Sequence, residues 1–181
     1  MIVAGEASGD LHGAGLVKAM QEQDSGLRFC GIGGKKLKEA GVDLIADVAD
    51  MGVVGLTEVS RRLLGILKVM RQTKERLRQM KPDLLILIDY PDFNIPLAKT
   101  AKGLGVPVLY YISPQVWAWR TGRIKTIKKN VDKMMVILPF EAGIYRAAGV
   151  DAVYVGHPLL DAVTDIGPRE ETLTKLGLAA E

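Results

Sequence analysis

Five consecutive apolar residues, Leu84–Ile88, stand between Asp83 and Asp89. The run has the length of a strand, and neither of its alternating faces carries a polar side chain. Such a strand suits a parallel sheet covered by helices on both faces. The rest of the chain has the matching rhythm. Short β-type runs occur at Ile2–Ala4 (a clipped first strand), Arg28–Gly31, Asp43–Ala46, Val106–Ile112, Lys133–Leu138 and Ala152–Val155. Helical patterns alternate with them at Asp10–Gln23, Gly34–Ala40, about Thr57 to Met80, Pro91–Leu104, Thr121–Asn130 and Phe140–Ala148. Gly41 and Gly105 sit where helices stop, Pro82 ends the long helix, and Pro91 lies in a first turn. Strands alternating with helices predict right-handed βαβ units and a doubly wound, Rossmann-like α/β parallel sheet. After Val155 the pattern thins into a Gly156-His157-Pro158 turn, a linker over Thr164–Pro168 and a short helix over Pro168–Leu176.

The 181 residues suit one domain plus a tail, and 48% hydrophobic with 25% charged residues excludes a disordered or fibrous chain. No apolar run approaches the ~18 residues of a membrane-spanning helix. Met1-Ile2-Val3-Ala4 is too short for a signal-peptide core and follows no basic segment. The single cysteine, Cys30, has no disulfide partner or metal-ligand spacing and reads as a core residue. A cytoplasmic location is expected. The net charge of +3 is unevenly spread. Arg61, Arg62, Lys68, Arg71, Lys74, Arg76, Arg78 and Lys81 face the lone acid Glu75, and Arg120, Arg123, Lys125, Lys128, Lys129 and Lys133 form a second cluster. Both suggest an anionic partner: a phosphate, a membrane surface or nucleic acid. Nucleic acid is disfavoured, because no recognised motif is present and the aromatics do not alternate with the basic residues.

Ligands of doubly wound sheets bind beyond the carboxyl ends of the strands, so the residues there are the candidates. Gly5-Glu6-Ala7-Ser8-Gly9-Asp10 follows the first strand and leads into a helix whose free N–H groups can hold an anion. Ser8 or Asp10 could equally cap that helix. The spacing is not that of a dinucleotide fingerprint, and strand two ends in Phe29-Cys30-Gly31 with no acid for a ribose. A redox reading is rejected. Gly31-Ile32-Gly33-Gly34 reads as a tight strand-to-helix turn or as a loop admitting a ligand. Met51–Leu56 is apolar and glycine-rich: a buried crossing, or a greasy rim for an acyl chain with basic residues behind it. Asp89, after the buried strand, is costly there unless paired or used, and a partly buried carboxylate with a raised pKa can serve as a general base. Asp92 suits the helix N-terminus that follows. Ser113–Arg120 holds both tryptophans, Trp117 and Trp119, which could stack on sugars, anchor at a membrane interface or fill core space. Pro139-Phe140-Glu141 and Tyr145 begin the next helix. His157 reads as a ligand-facing residue or a turn residue, and His12 as a surface residue.

Taken in order, these strings resemble the lipid A disaccharide synthase family. They are Ala4–Asp10, Met51-Gly52 with Glu58-Val59, Asp89–Asn94, Ser113–Arg120, Pro139–Glu141 and Val155–Pro158, and the likeness runs to about Asp161. The resemblance implies a two-domain, B-type, inverting glycosyltransferase. It would join UDP-2,3-diacylglucosamine to 2,3-diacylglucosamine 1-phosphate (lipid X) and release UDP, with no metal or cofactor. It implies Asp89 as the catalytic base. It implies Glu6, Ser8, Gly9, Asp10, Met51, Asn94, Gln115, Trp117, Arg120 and His157 as substrate-binding residues. Arg71, Lys74 and Arg78 are the expected membrane or phosphate surface. The expected setting is the cytoplasmic side of the inner membrane of a Gram-negative bacterium, peripherally bound, with a possible homodimer at full length. Residues 1–163 correspond to the acceptor-side domain. Residues 164–181 correspond to a linker and the start of the donor domain, whose UDP-binding loops have no counterpart here. The piece alone is expected to fold at least partly but not to turn over.

Overall fold

A computed structural model describes residues 1–48, 59–119, 121–162 and 167–177. Met51 and the rest of the expected greasy rim, Arg120, and residues 164–166 of the expected linker lie outside the described residues. The elements run β1 (Ile2–Ala4), α1 (Ala7–Gln23), β2 (Cys30–Gly33), α2 (Lys35–Glu39), β3 (Asp43–Asp47), α3 (Val59–Met80), β4 (Leu85–Ile88) and α4 (Pro91–Gly103). They continue with β5 (Val108–Tyr111), α5 (Val116–Trp119), α6 (Gly122–Asn130), β6 (Lys133–Val136), α7 (Pro139–Ala147), β7 (Ala152–Tyr154), α8 (Leu159–Ala162) and α9 (Arg169–Lys175).

The strands form one seven-stranded sheet in the order β3-β2-β1-β4-β5-β6-β7. Every pairing is parallel. The chain winds outward from β1 to β3, crosses back along α3, and continues outward from β4. Strand order therefore reverses between β1 and β4, where Ile2, Val3 and Ala4 pair with Ile86, Leu87 and Ile88. That is the place where such a sheet opens a crevice for ligands.

Side-chain alternation builds two cores. Val3, Leu85 and Leu87 face one side, with Leu77 of α3, Phe93 and Leu97 of α4, Ile127 of α6 and Tyr145 of α7. Ile2, Ala4, Ile86 and Ile88 face the other, with Ala14 and Val17 of α1 and Leu37 of α2. β4 is no more than 2% exposed at any residue, as its uninterrupted apolar run requires. Each fully buried Ile or Leu contributes about 1.5–3 kcal/mol by leaving water. Cys30 is buried in the first of these cores.

Two expectations need correction. β2 lies two residues later than predicted, so Gly31-Ile32-Gly33 is strand and not turn. The reason is a close approach: a Cβ on Gly31 would sit 1.6 Å from the carbonyl oxygen of Ile2. Glycine is needed for β2 to lie against β1, although glycines in a row look like a turn. The Ser113–Arg120 stretch is not all loop, because Val116–Trp119 closes into a helical turn. A second short helix, α8, was also unforeseen.

Candidate active site

The main chain turns sharply as it leaves β4. Asp89 and Tyr90 both adopt left-handed backbone angles, with φ of 43° and 44°. That conformation costs about 1–2 kcal/mol for each residue bearing a Cβ, so something must hold it. Asn94 Nδ2 donates to the carbonyls of Ile88 (3.0 Å) and Asp89 (2.7 Å). The hydroxyl of Tyr110 donates to the Asp89 carbonyl at 2.6 Å, and the Asp89 N–H donates to the Ile112 carbonyl at 3.2 Å. From the other side the Tyr90 ring lies on Gly5, where a Cβ would come within 2.1 Å of it. These bonds engage the backbone of Ile88 and Asp89 and leave the Asp89 carboxylate to the crevice.

Asn94 was expected to bind substrate. It is 0% exposed and its amide is spent on the turn, so its place is beneath the site and not in it. Its Oδ1 finds no hydrogen-bond partner. Asp92 sits in the first turn of α4 and pairs with Arg123 of α6.

The crevice is a cavity of about 540 Å³. Five residues singled out in the sequence line it: Ser8 and Gly9 at the start of α1, Asp89, Gln115 and His157. His12, Ser113 and Glu141 line it as well. Burial pushes the Asp89 carboxyl above its ordinary range, and the negative charges of Glu6 and Glu141 push it further, against the N–H of Tyr90. A carboxylate so placed holds a proton more tightly than a solvated one, which is what a base needs. Glu6 is exposed at the N-cap of α1 and acts on Asp89 through charge, without lining the cavity.

Asp10 is placed otherwise than expected. It neither faces the cavity nor caps α1. It is 6% exposed, and its carboxylate accepts N–H bonds from Gly34 (2.7 Å), Lys36 (3.0 Å) and Leu37 (3.0 Å). It thus caps α2 from a neighbouring helix, satisfying donors that a helix start leaves open.

Glu141 went unrecognised. An acid three residues into a helix reads as a capping box, and Oε2 does accept the Leu138 N–H at 3.2 Å. Its Oε1 also accepts the Ser113 hydroxyl at 2.8 Å and the Trp117 indole N–H at 3.0 Å. The side chain is 1% exposed and fixes the β5–α5 wall of the cavity to α7. Trp117 is half-buried against the core, with the Phe140 ring edge-on at 5.1 Å and 89°. Tyr145 donates to the Pro114 carbonyl at 2.8 Å from below.

Arg71, Lys74 and Arg78 lie on α3, away from this cavity. Arg71 lines a separate hollow of about 650 Å³ with Lys68 and Arg76, against Leu44 and Ile45 of β3. Among the described residues no group of three or more His, Cys, Asp or Glu is placed to hold a metal ion. Among them, too, no helix is long and apolar enough to cross a membrane.

Comparison with known proteins points to one family. The profile of the family described as lipid-A-disaccharide synthetase matches residues 1–181. The lipid-A-disaccharide synthase of Syntrophus aciditrophicus is 65% identical over 178 residues, which are 98% of this chain and 46% of that protein. Those of Trichlorobacter lovleyi and Geobacter sulfurreducens are each 54% identical over the same shares. The chain spans about half the length of these curated relatives. Among solved structures, Glycyrrhiza uralensis UGT73P12, complexed with glycyrrhetinic acid 3-O-monoglucuronide, superposes with a TM-score of 0.61 at 11% identity. The match covers 92% of this chain and 49% of that one, and it is a likeness of fold. The chain belongs to the lipid-A-disaccharide synthase family.

Proposed function

We propose that this chain forms the acceptor-side half of a glycosyltransferase that joins UDP-2,3-diacylglucosamine to lipid X. Residues 1–163 form that domain, and residues 164–181 lead into a donor half that holds UDP. Asp89 takes the proton of the acceptor 6-hydroxyl as its oxygen attacks the anomeric carbon. The bond from that carbon to UDP breaks, UDP leaves with the electron pair, and the configuration inverts. The observation that carries this reading is the half-buried Asp89 carboxylate, held by its backbone at the strand-order reversal and facing a cavity with Ser8, Gln115 and His157. Without a donor half the chain does not turn over.

The same reading places the protein on the cytoplasmic face of an inner membrane. Leu64, Leu67, Arg71, Lys74 and Arg78 recur at helical spacing and share one stripe of α3, about 80° wide. Leu64 and Leu67 are 67% and 54% exposed. Exposed leucines followed by cations suit a surface of anionic lipid.

Turnover is measured with this chain continued by the second half of the Syntrophus aciditrophicus relative, with and without Asp89→Ala or Asp89→Asn. A fall of about two or more orders of magnitude is expected, the size of a general-base contribution. Equal turnover by all three removes Asp89 from the chemistry, and no product from any of them overturns the function.

A further inference from the structure

The cavity beside Asp89 is chemically lopsided. Asp89 and Glu141 are carboxylates, and among the described residues no lysine or arginine lines it. Its titratable nitrogen bases are His12 of α1 and His157 of the β7–α8 turn, which meet edge-on with ring centroids 6.4 Å apart. They come from opposite ends of the sequence, and both are half-buried. His157 Nδ1 accepts the Leu159 N–H at 3.2 Å, so in the neutral ring the proton is on Nε2 and that nitrogen donates. His12 makes no hydrogen bond to a described residue. Ser8 and Gly9, in the first turn of α1, line the same cavity.

We propose that His12 and His157 form a two-imidazole grip for a phosphate group of the substrate. His12, the His157 Nε2–H and the Ser8 hydroxyl line one ligand-sized space, and a bound phosphate would favour imidazolium at His12, whereas His157 donates from Nε2 in its neutral form. The charged groups around the pair are Asp89 and Glu141 in the cavity and Asp161 in the apolar hollow that His12 also lines. Burial and the neighbouring His157 hold His12 below its usual range, so an anion bound beside it moves it upward. This inference deepens the proposed function and rests on it for the ligand class. The phosphate could come from the anomeric phosphate of a sugar acceptor or from the diphosphate of UDP.

The test is proton NMR of the two imidazoles over a pH titration, on the chain alone and with N-acetylglucosamine 1-phosphate, UDP or unphosphorylated N-acetylglucosamine at millimolar concentration. His12→Gln and His157→Gln assign the resonances and remove one donor each. The expected result is an upward shift of the His12 midpoint and a displacement of the His157 resonances with a phosphorylated ligand, and neither with the plain sugar. Either histidine variant should weaken that ligand about tenfold, about 1.4 kcal/mol. A response to the sugar phosphate alone assigns the grip to the acceptor, and a response to UDP alone assigns it to the donor. Midpoints that stay fixed while the Trp117 indole or the Gln115 amide responds overturn the grip and leave the function standing. Midpoints that move in a chain whose full-length continuation forms no product leave the grip standing and overturn the function. No response to any of the three ligands also overturns the grip.

Discussion

Replacing Asp10 with alanine should cost about 3 kcal/mol of folding free energy. The carboxylate serves three N–H groups, and those of Gly34 and Leu37 are buried while that of Lys36 is only partly so. Water can take over at Lys36. At the other two the donors are left dry, at about 1–3 kcal/mol each. The loss exceeds that of an exposed N-cap, about 0.5–2 kcal/mol, because α2 is only five residues long and has no cap of its own. Asp10→Asn keeps one oxygen. Oδ1 alone receives both buried donors, so asparagine can preserve those two and lose only Lys36, at about 1 kcal/mol. Urea denaturation of the chain, followed by tryptophan fluorescence, reads the difference. With a slope of about 2 kcal/mol per molar, alanine should lower the midpoint by about 1.5 M and asparagine by about 0.5 M. An alanine variant within about 0.5 kcal/mol of the parent refutes the reasoning, since the three bonds would then hold nothing together.

Two further predictions follow from charge. The Asp89 carboxyl is raised in the folded state, so its contribution to stability is present below the ordinary carboxylate range and is lost as pH rises through its folded value. Asp89→Asn should therefore stabilise the chain at neutral pH, with the advantage vanishing in acid, and a thermal-melting series across pH 3–8 that shows a constant offset would contradict this. Charge reversal at Arg71, Lys74 and Arg78 together should abolish sedimentation of the chain with anionic vesicles at low salt, whereas undiminished sedimentation removes α3 from membrane binding.

The sequence announced its sheet through the five apolar residues Leu84–Ile88 that contain β4 and through the glycine and proline punctuation of the helices. It misplaced β2 because Gly31 looks local while its cause, the backbone of β1, is distant. α5 and α8 are each four residues long, too short for any periodicity to show. At the site, Ser8, Gly9, Asp89, Gln115 and His157 could be picked out because they follow strand ends, and topology brings strand ends together. Asp10 and Asn94 carry the same residue chemistry but are committed to backbone groups. For Asp10 those groups lie 24 to 27 residues away, and nothing in the spacing says so. Glu141 failed the other way. Its place at the start of a helix was visible, while its bonds to Ser113 and Trp117 depend on how α7 meets the segment that follows β5.

The turn at Asp89 and Tyr90 is gripped through its carbonyls by Asn94 and Tyr110, so its shape does not depend on the side chain at position 89. Form and reactivity are thereby written at separate addresses. Asparagine tolerates left-handed angles and should give a protein with the right contour and no carboxylate, whereas alanine adds a backbone penalty of about 1 kcal/mol. Damage at Asn94 should give the opposite defect: a carboxylate still present but no longer aimed. The two variants would then differ in kind, and added ligand would tell them apart, because only the first keeps the crevice in its original shape.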